Sequence, residues 1–110
     1  MEKDNSVYLR HILDSIERIG EYTKEVSKEQ FMSKNIIHAA VIREIEIIGE
    51  ATKMLDNKFK ETHNAIPWKS VVGMRDKLIH GYFGVDLETI WKTIKEDIPY
   101  LKKELTKLSK

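Results

Sequence analysis

Residues 34–57, KNIIHAAVIREIEIIGEATKMLDN, decide the fold because they are apolar around most of a helical circumference. Apolar side chains recur at helical steps on two faces: the first consists of Ile37, Val41, Ile45, Ile48 and Leu55, and the second of Ile36, Ala40, Ile47, Ala51 and Met54. A helix with so wide an apolar arc packs against two or more neighbours. We therefore predict a central helix over residues 34–57, with Ser33 as its N-cap.

The segments before this central helix indicate one long helix and one short turn of helix. Apolar residues recur at helical spacing through residues 5–25, and either Asp4 or Asn5 can cap that helix. Ser27 and Gln30 have the spacing of a capping box, which predicts a short helix just before the central one.

The second half of the chain indicates a loop and two further helices. Residues 57–65 are polar and are typical of a loop, whereas Pro67 suits the first position of a helix that ends near Gly81. Asp86 can cap a last helix, and Pro99 inside it predicts a kink or a break.

Length and composition place these elements in one domain over residues 1–110. We expect an all-α, antiparallel four-helix bundle with a short extra helical turn. The chain has no cysteine, which excludes a disulfide framework, a thiol nucleophile and a cysteine-type zinc site. The net charge is only +1, so a nucleic-acid partner would need a local basic patch.

The sequence also bears on location. The first residues are too polar for a signal peptide, and no apolar run is long enough to span a bilayer. We therefore expect a cytoplasmic protein without a membrane partner.

Residues 73–86, GMRDKLIHGYFGVD, gather the groups that can do chemistry. Arg75 offers a planar fork of donors suited to phosphate, and His80 can gain or lose a proton near neutral pH. Cleavage of a phosphodiester needs both charge stabilisation at phosphorus and proton transfer at oxygen. Because five residues turn a straight helix by a net angle of about 140°, the two side chains meet only where the helix unwinds at Gly81 or across a subunit boundary.

The same residues also have simpler explanations, which spacing alone favours. Arg75 can form a surface ion pair, and His80 can cap a helix end. Asp76 can orient the imidazole of His80 or form half of a metal site, but no third ligand lies at a telling spacing, so we expect no metal and no cofactor. Tyr82 can contact a ligand, accept a modification or simply close the end of the bundle.

The remaining polar residues of the central helix also allow two interpretations. Glu46 and Glu50 can act as a general-base pair, or they can form a surface ladder of salt bridges with Arg43 and Lys53. The ladder is the expected arrangement.

The pattern of Arg75, four residues, His80, one residue and Tyr82 resembles the R-x4-H-x-Y signature of HepT-like toxins in the HEPN superfamily. The flanking stretches are similar to that family as well: IEIIGEATKML at residues 45–55, HNAIPWKSVVGMRDKLIHGYFGVD at residues 63–86 and TIWKTIKEDIPYLKKEL at residues 89–105. The resemblance therefore covers most of the chain beyond its first forty residues.

This resemblance implies an all-α HEPN bundle that forms a two-fold homodimer and cleaves RNA without a metal, as the toxin of a toxin–antitoxin (HEPN–MNT) module. Arg75 and His80 then take the catalytic roles of the family, and Asp76 matches the supporting polar residue. Tyr82 matches the tyrosine to which an MNT-type nucleotidyltransferase antitoxin attaches AMP.

A dimer is also sensible on chemical grounds. Transesterification benefits from a base and an acid, and two chains that meet at a two-fold axis would supply two histidines to one cleft. The alternative hypothesis is a non-catalytic helical partner that binds nucleotide or RNA, or scaffolds a nucleotidyltransferase, with Arg75 as a phosphate clamp. The presence of His80 beside Arg75 favours the ribonuclease, because a scaffold needs no titratable group there.

Overall fold

The computed structural model describes residues 4–78 and 86–108, and all regular secondary structure in these ranges is helical. The prediction of an all-α chain is confirmed. The elements are α1 (Asn5–Thr23), α2 (Lys28–Ser33), α3 (Asn35–Met54), α4 (Asn57–Thr62), α5 (Trp68–Val72), α6 (Met74–Leu78), α7 (Leu87–Lys92), a π-helical turn (Thr93–Asp97) and α8 (Ile98–Leu108).

Helix α3 lies at the centre, as predicted from its wide apolar arc. It packs along α1 on one side and against α5 and α6 on another, and it also contacts α2. Helices α1 and α3 are antiparallel, because Asn5 at the start of α1 accepts a hydrogen bond from the backbone of Asp56, just past the end of α3. The segment from α7 to α8 packs back against α1, α2 and α6, which completes four main helical segments with α2 as the short extra turn.

The core takes side chains from all four segments. Those with no measurable exposure are Ile12, Phe31, Val41, Ile45, Ile48, Leu78, Ile90 and Leu105. Each such side chain contributes about 1.5–3 kcal/mol relative to an exposed position. The heavy contribution of α3 to this set explains why its backbone is a firm base for the polar residues on its outer side.

The second apolar face of α3 is packed less fully than its pattern predicts. Ala51 is buried, but Ile36 is 85% exposed and Met54 is 44% exposed. Ala40 and Ile47, which lie between them at helical spacing, are only half-buried. A single chain therefore leaves an apolar stripe of α3 partly open to solvent.

The capping predictions are confirmed at three helices and wrong at one. The side chains of Asp4 and Asp86 accept hydrogen bonds from backbone N–H groups of α1 and α7, and Ser27 forms a full capping box with Gln30. Ser33 does not cap α3, because its hydroxyl donates to the carbonyl oxygen of Gln30 instead. Helix α3 begins without a side-chain cap.

Residues 57–65 are not the predicted loop, because α4 occupies most of them. Its Phe59 ring lies against the rings of His63 and Trp68. The indole Nε1–H of Trp68 donates to the carbonyl oxygens of Lys60 and His63, both at 3.1 Å. Tertiary contacts from one buried tryptophan thus stabilise a helix that the polar composition does not indicate.

The predicted helix from Pro67 towards Gly81 is divided at Gly73. Helix α5 ends at Val72 and α6 starts at Met74, and the ψ angle of Gly73 is 1°, well away from helical values. Glycine is a weak helix former, so the helix changes direction there at low cost. The predicted end of this helix at Gly81 lies outside the described residues.

The chain does not break at Pro99, as one of the two predicted alternatives required, because a helical run continues from Leu87 to Leu108 with a π-helical turn inside it. The residues just before Pro99 form this turn, and the backbone N–H of Ile98 donates to the carbonyl oxygen of Thr93, five residues earlier. Proline has no N–H and its ring collides with the preceding helical turn. Widening that turn keeps α7 and α8 in one continuous segment.

One further structural observation concerns membranes. Within residues 4–78 and 86–108, no helix combines the length and the apolar character that a bilayer span requires.

Candidate active site

Helix α6 presents Arg75 and Asp76 to solvent because the residues on either side of them are anchored. Met74 and Leu78 are buried in the core at the two ends of this helix. On α3, the buried Gly49 lies against the end of α5, and a Cβ atom there would stand 3.3 Å from the carbonyl oxygen of Val72. The missing side chain thus lets the α5–α6 segment approach α3 closely, which brings Arg75 beside the outer face of that helix.

Arg75 is held by a carboxylate of α3. Its Nε–H donates to Oε2 of Glu46 at 2.9 Å, and its Nη1 lies 3.6 Å from Oδ1 of Asp76. The side chain of Arg75 is 47% exposed, and that of Glu46 is 33% exposed. The first contact is a charge-assisted hydrogen bond, whereas the second is only a loose ion pair.

Arg75 lies in an open groove of about 330 Å³ between α3 and the α5–α6 segment. Its charged lining consists of Arg43, Lys53 and Arg75 against Glu46, Glu50 and Asp76. Three cations and three anions balance, so the described part of the groove is not the local basic patch that a nucleic-acid partner was expected to need. Any phosphate that enters must bind beside carboxylates.

The ladder predicted along α3 is only half present. Lys53 pairs with Glu50 at 3.2 Å, as expected. Glu46 pairs with Arg75, a residue 29 positions away in another helix. Sequence spacing finds pairs within one helix and not between helices, so no local pattern pointed to this contact.

The other predicted site residues, His80 and Tyr82, lie outside the described residues. The structure therefore gives the positions of Arg75 and Asp76 only. On either side of this gap, the backbone N–H of Asp86 donates to the carbonyl oxygen of Leu78 at 2.8 Å. Leu78 and Asp86, the described residues on the two sides of this range, are therefore in contact at the C-terminal end of α6.

The other histidines are separate from this groove. His38 is buried and its Nε2 contacts the carbonyl oxygen of Phe31. The ring of His63 lies tilted against that of Phe59, and His11 is exposed. Within the described ranges, no three metal-ligating side chains of histidine, aspartate or glutamate come together.

A second arginine–glutamate pair, not predicted from the sequence, lies between α1 and α3. Arg18 Nε donates to Oε1 of Glu44 at 3.0 Å, and the Tyr22 hydroxyl donates to Oε2 at 3.1 Å. Arg18 also donates to the hydroxyl of the fully buried Ser15. The side chain of Glu44 is only 7% exposed, so these donors replace the water that its carboxylate has lost.

Two pKa values are shifted in this cluster. The hydrogen bond to Glu44 raises the pKa of Arg18, which keeps its permanent charge. Burial, followed by the hydrogen bond to the Glu44 carboxylate, raises the pKa of the Tyr22 phenol. Both shifts favour the protonated donors, so the cluster holds one anion between groups that keep their protons.

Comparison with known proteins gives consistent matches. A family model described as "Ribonuclease HepT-like" matches residues 12–108. A protein of Thermococcus cleftensis named "Probable ribonuclease HepT" is 50% identical over 110 residues and is covered over its full length, as is this chain. A Caldanaerobacter subterraneus protein named "Putative RNase TTE0752" is 46% identical over 101 residues, which cover 92% of this chain and 90% of that protein.

A third relative is longer than this chain. It is a Methanocaldococcus jannaschii protein named "Gamma-glutamylcyclotransferase and putative RNase MJ0434", 53% identical over 108 residues. The match covers 98% of this chain and 49% of that protein, so the chain spans about half of its length. Comparison with solved structures gives no significant match.

Proposed function

Because the chain belongs to the HepT-like ribonuclease family, we propose that it is a metal-independent endoribonuclease and the toxin of a toxin–antitoxin (HEPN–MNT) module. The observation that carries this proposal is the half-exposed side chain of Arg75 in an open groove. A planar cation in that position is suited to an RNA phosphate. The names of the relatives as ribonucleases support the same activity.

The proposed reaction is a transesterification that needs no metal. The 2′-oxygen of the RNA attacks the neighbouring phosphorus and loses its proton, and the bond from phosphorus to the 5′-oxygen breaks. Arg75 stabilises the negative charge that builds up on the phosphoryl oxygens, and His80 transfers the protons. The products are a 2′,3′-cyclic phosphate and a 5′-hydroxyl end, and Asp76 supports the site.

The test of this proposal compares three purified variants on a labelled RNA. We expect His80→Ala and Arg75→Ala each to cleave about 10² to 10⁴ times more slowly than the wild type, which is the usual contribution of proton transfer or charge stabilisation. His11→Ala is the matched control, because His11 is an exposed histidine of α1. Cleavage by His80→Ala at the wild-type rate would refute the assignment.

The proposal includes a two-fold dimer in which a second copy of the chain covers the apolar stripe of α3. The stripe consists of Ile36, Ala40, Ile47 and Met54, and Ile36 is 85% exposed in one chain. Arg43 and Glu50 lie next to the stripe on the same helix and also line the groove of Arg75. A partner on the stripe would therefore bring the two grooves close together, with one histidine from each chain.

Light scattering at micromolar concentration tests the dimer. We expect a dimer for the wild type and a monomer for Ile36→Glu, because the new carboxylate would be buried at the interface. Tyr100→Glu is the control, since Tyr100 is an exposed residue of α8, away from α3. A wild-type monomer would contradict this part of the proposal.

The remaining part of the proposal is regulation at Tyr82 by an MNT-type nucleotidyltransferase antitoxin. The phenolic oxygen would attack the α-phosphorus of ATP, release pyrophosphate and retain AMP as a phosphodiester. The added nucleotide and its negative charge would then oppose the approach of RNA phosphates. This step turns the ribonuclease off without unfolding it.

Intact-mass spectrometry after co-expression with the antitoxin tests this regulation. We expect the mass of the wild type to increase by at least one AMP and that of Tyr82→Phe to stay unchanged. Tyr100→Phe is the control, because Tyr100 is an exposed tyrosine elsewhere on the chain, and its mass should increase as that of the wild type does. Tyr82→Phe should remain an active ribonuclease that escapes neutralisation. Equal modification of the wild type and Tyr82→Phe would show that another residue is the target.

A further inference from the structure

We propose that Glu46 is a positioning residue that aims the guanidinium of Arg75 at the RNA phosphate. This inference rests on the proposed function, in which Arg75 acts on phosphate. It is motivated by the 2.9 Å hydrogen bond from Nε of Arg75 to Oε2 of Glu46, the shortest contact of the arginine with any residue that the structure describes.

The atom that Glu46 engages determines what remains for the substrate. A guanidinium has five N–H donors in a fixed plane, and only one of them is on Nε. A carboxylate on Nε fixes the direction of that plane and occupies the edge that Nε–H shares with one N–H of an Nη group. The other three N–H donors of the two Nη groups point away from it. Among residues 4–78 and 86–108, the recorded polar contact of the Nη1 atom is the loose one with Asp76 at 3.6 Å. A phosphate can therefore approach the Nη side without displacing Glu46.

The two partners differ in how firmly they are held. Glu46 lies on the long helix α3, between core residues Ile45 and Ile48, which have no measurable exposure. Arg75 lies on the five-residue helix α6, directly after the break at Gly73. A long arginine side chain loses conformational entropy when it is ordered. Because Glu46 on α3 already orders the Arg75 side chain, less of that entropy is lost when RNA binds.

An ordinary surface ion pair would have the opposite effect on activity. A carboxylate in a groove that takes RNA repels the phosphates, so removing a purely electrostatic glutamate should strengthen RNA binding. Glu50 offers the matched case. It lines the same groove on α3, but it pairs with Lys53 on its own helix instead of Arg75.

The experiment measures kcat and KM for RNA cleavage by the wild type, Glu46→Ala and Glu50→Ala. The two substitutions remove the same charge and the same acceptor oxygens from the same groove. We expect Glu46→Ala to lower kcat about 10- to 100-fold, as small displacements of a catalytic group do, while KM stays the same or falls. Glu50→Ala should not lower kcat. A kcat of Glu46→Ala at or above the wild-type value would overturn the proposal.

A double variant separates positioning from a general loss of structure. Arg75→Lys keeps the charge but lacks the Nε–H that Glu46 accepts, so adding Glu46→Ala to it should cause no further loss in kcat. An equal loss in both backgrounds would overturn the proposal, because a structural effect does not depend on residue 75. If Arg75→Ala cleaves RNA like the wild type, the proposed function fails. If Arg75→Ala is inactive and Glu46→Ala is fully active, only this inference fails.

Discussion

Helix α3 carries two glutamates, two positions apart, that make nearly the same bond in different surroundings. Glu44 accepts from Nε of Arg18 at 3.0 Å on the side that faces α1, and Glu46 accepts from Nε of Arg75 at 2.9 Å on the side that faces α6. The side chain of Glu44 is 7% exposed and that of Glu46 is 33% exposed. The two arginine side chains are exposed to a similar extent, 42% and 47%, so the pairs differ in the access of water to the glutamates.

This difference separates a structural pair from a pair that is available for chemistry. Both carboxylate oxygens of Glu44 have donors, from Arg18 and Tyr22, and breaking that set would leave a buried charge uncompensated. The pair of Glu46 and Arg75 faces an open groove, where water can replace a lost partner and the net contribution to stability is small. A hydrogen-bond length alone therefore does not reveal what a pair contributes.

The largest expected difference is in stability after removal of each arginine. Arg18→Ala should lower the free energy of unfolding by about 2 kcal/mol, because the carboxylate of Glu44, which is 7% exposed, loses its cation while the Arg18 side chain is itself partly exposed. Arg75→Ala should change it by less than about 0.5 kcal/mol, as expected of an exposed pair. Urea denaturation of the two variants measures both values. Equal losses of unfolding free energy in the two variants would contradict the distinction between the two pairs.

A smaller difference in stability is expected when each glutamate is neutralised. Glu44→Gln should lower the unfolding free energy by about 1–2 kcal/mol, since an amide offers one acceptor oxygen where two donors now bind. Glu46→Gln should leave the unfolding free energy within about 0.5 kcal/mol of the wild type. Thermal unfolding followed by circular dichroism gives the ranking. A destabilised Glu46→Gln beside an unaffected Glu44→Gln would reverse the assignment of the two pairs.

The smallest expected effect is the pH dependence of stability that Tyr22 adds to the cluster around Glu44. Its pKa in the folded chain is raised by burial and by the Glu44 carboxylate, whereas in the unfolded chain it is about 10. Above that pH the unfolded chain loses the proton first, so the stability that this group contributes falls as the pH rises. Tyr22→Phe should therefore show a shallower loss of stability between pH 8 and pH 11 in urea titrations. An identical slope in wild type and variant would contradict this role.

Local sequence signals were sufficient for most of the helical architecture. The wide apolar arc predicted α3 as the central helix, and Asp4, Ser27 and Asp86 were recognised as caps because capping depends on neighbours in sequence. Helix α4 was missed because contacts with Trp68, further along the chain, stabilise it. The division at Gly73 was missed because the apolar pattern continues across it.

At the site, too, local sequence signals predict residue types but not contacts between side chains that are distant in sequence. Arg75 and Asp76 were selected from their residue types and motif, and His80 and Tyr82 remain predictions. Glu46 was assigned to a ladder along its own helix, because its real partner lies 29 positions away. The burial of Glu44 could not be read from a helix on which charged and apolar residues alternate so closely. Pairing between helices is set by tertiary packing, which one sequence does not display.

The most direct test of the central claim is the chemistry of the RNA ends produced in the presence of EDTA. A 5′-labelled RNA is incubated with purified wild type and with Arg75→Ala, and the 3′ ends of the fragments are identified by mass. We expect 2′,3′-cyclic phosphate ends from the wild type with EDTA present, and cleavage about 10² to 10⁴ times slower from Arg75→Ala. Loss of cleavage in EDTA, or equal cleavage by both proteins, would contradict it.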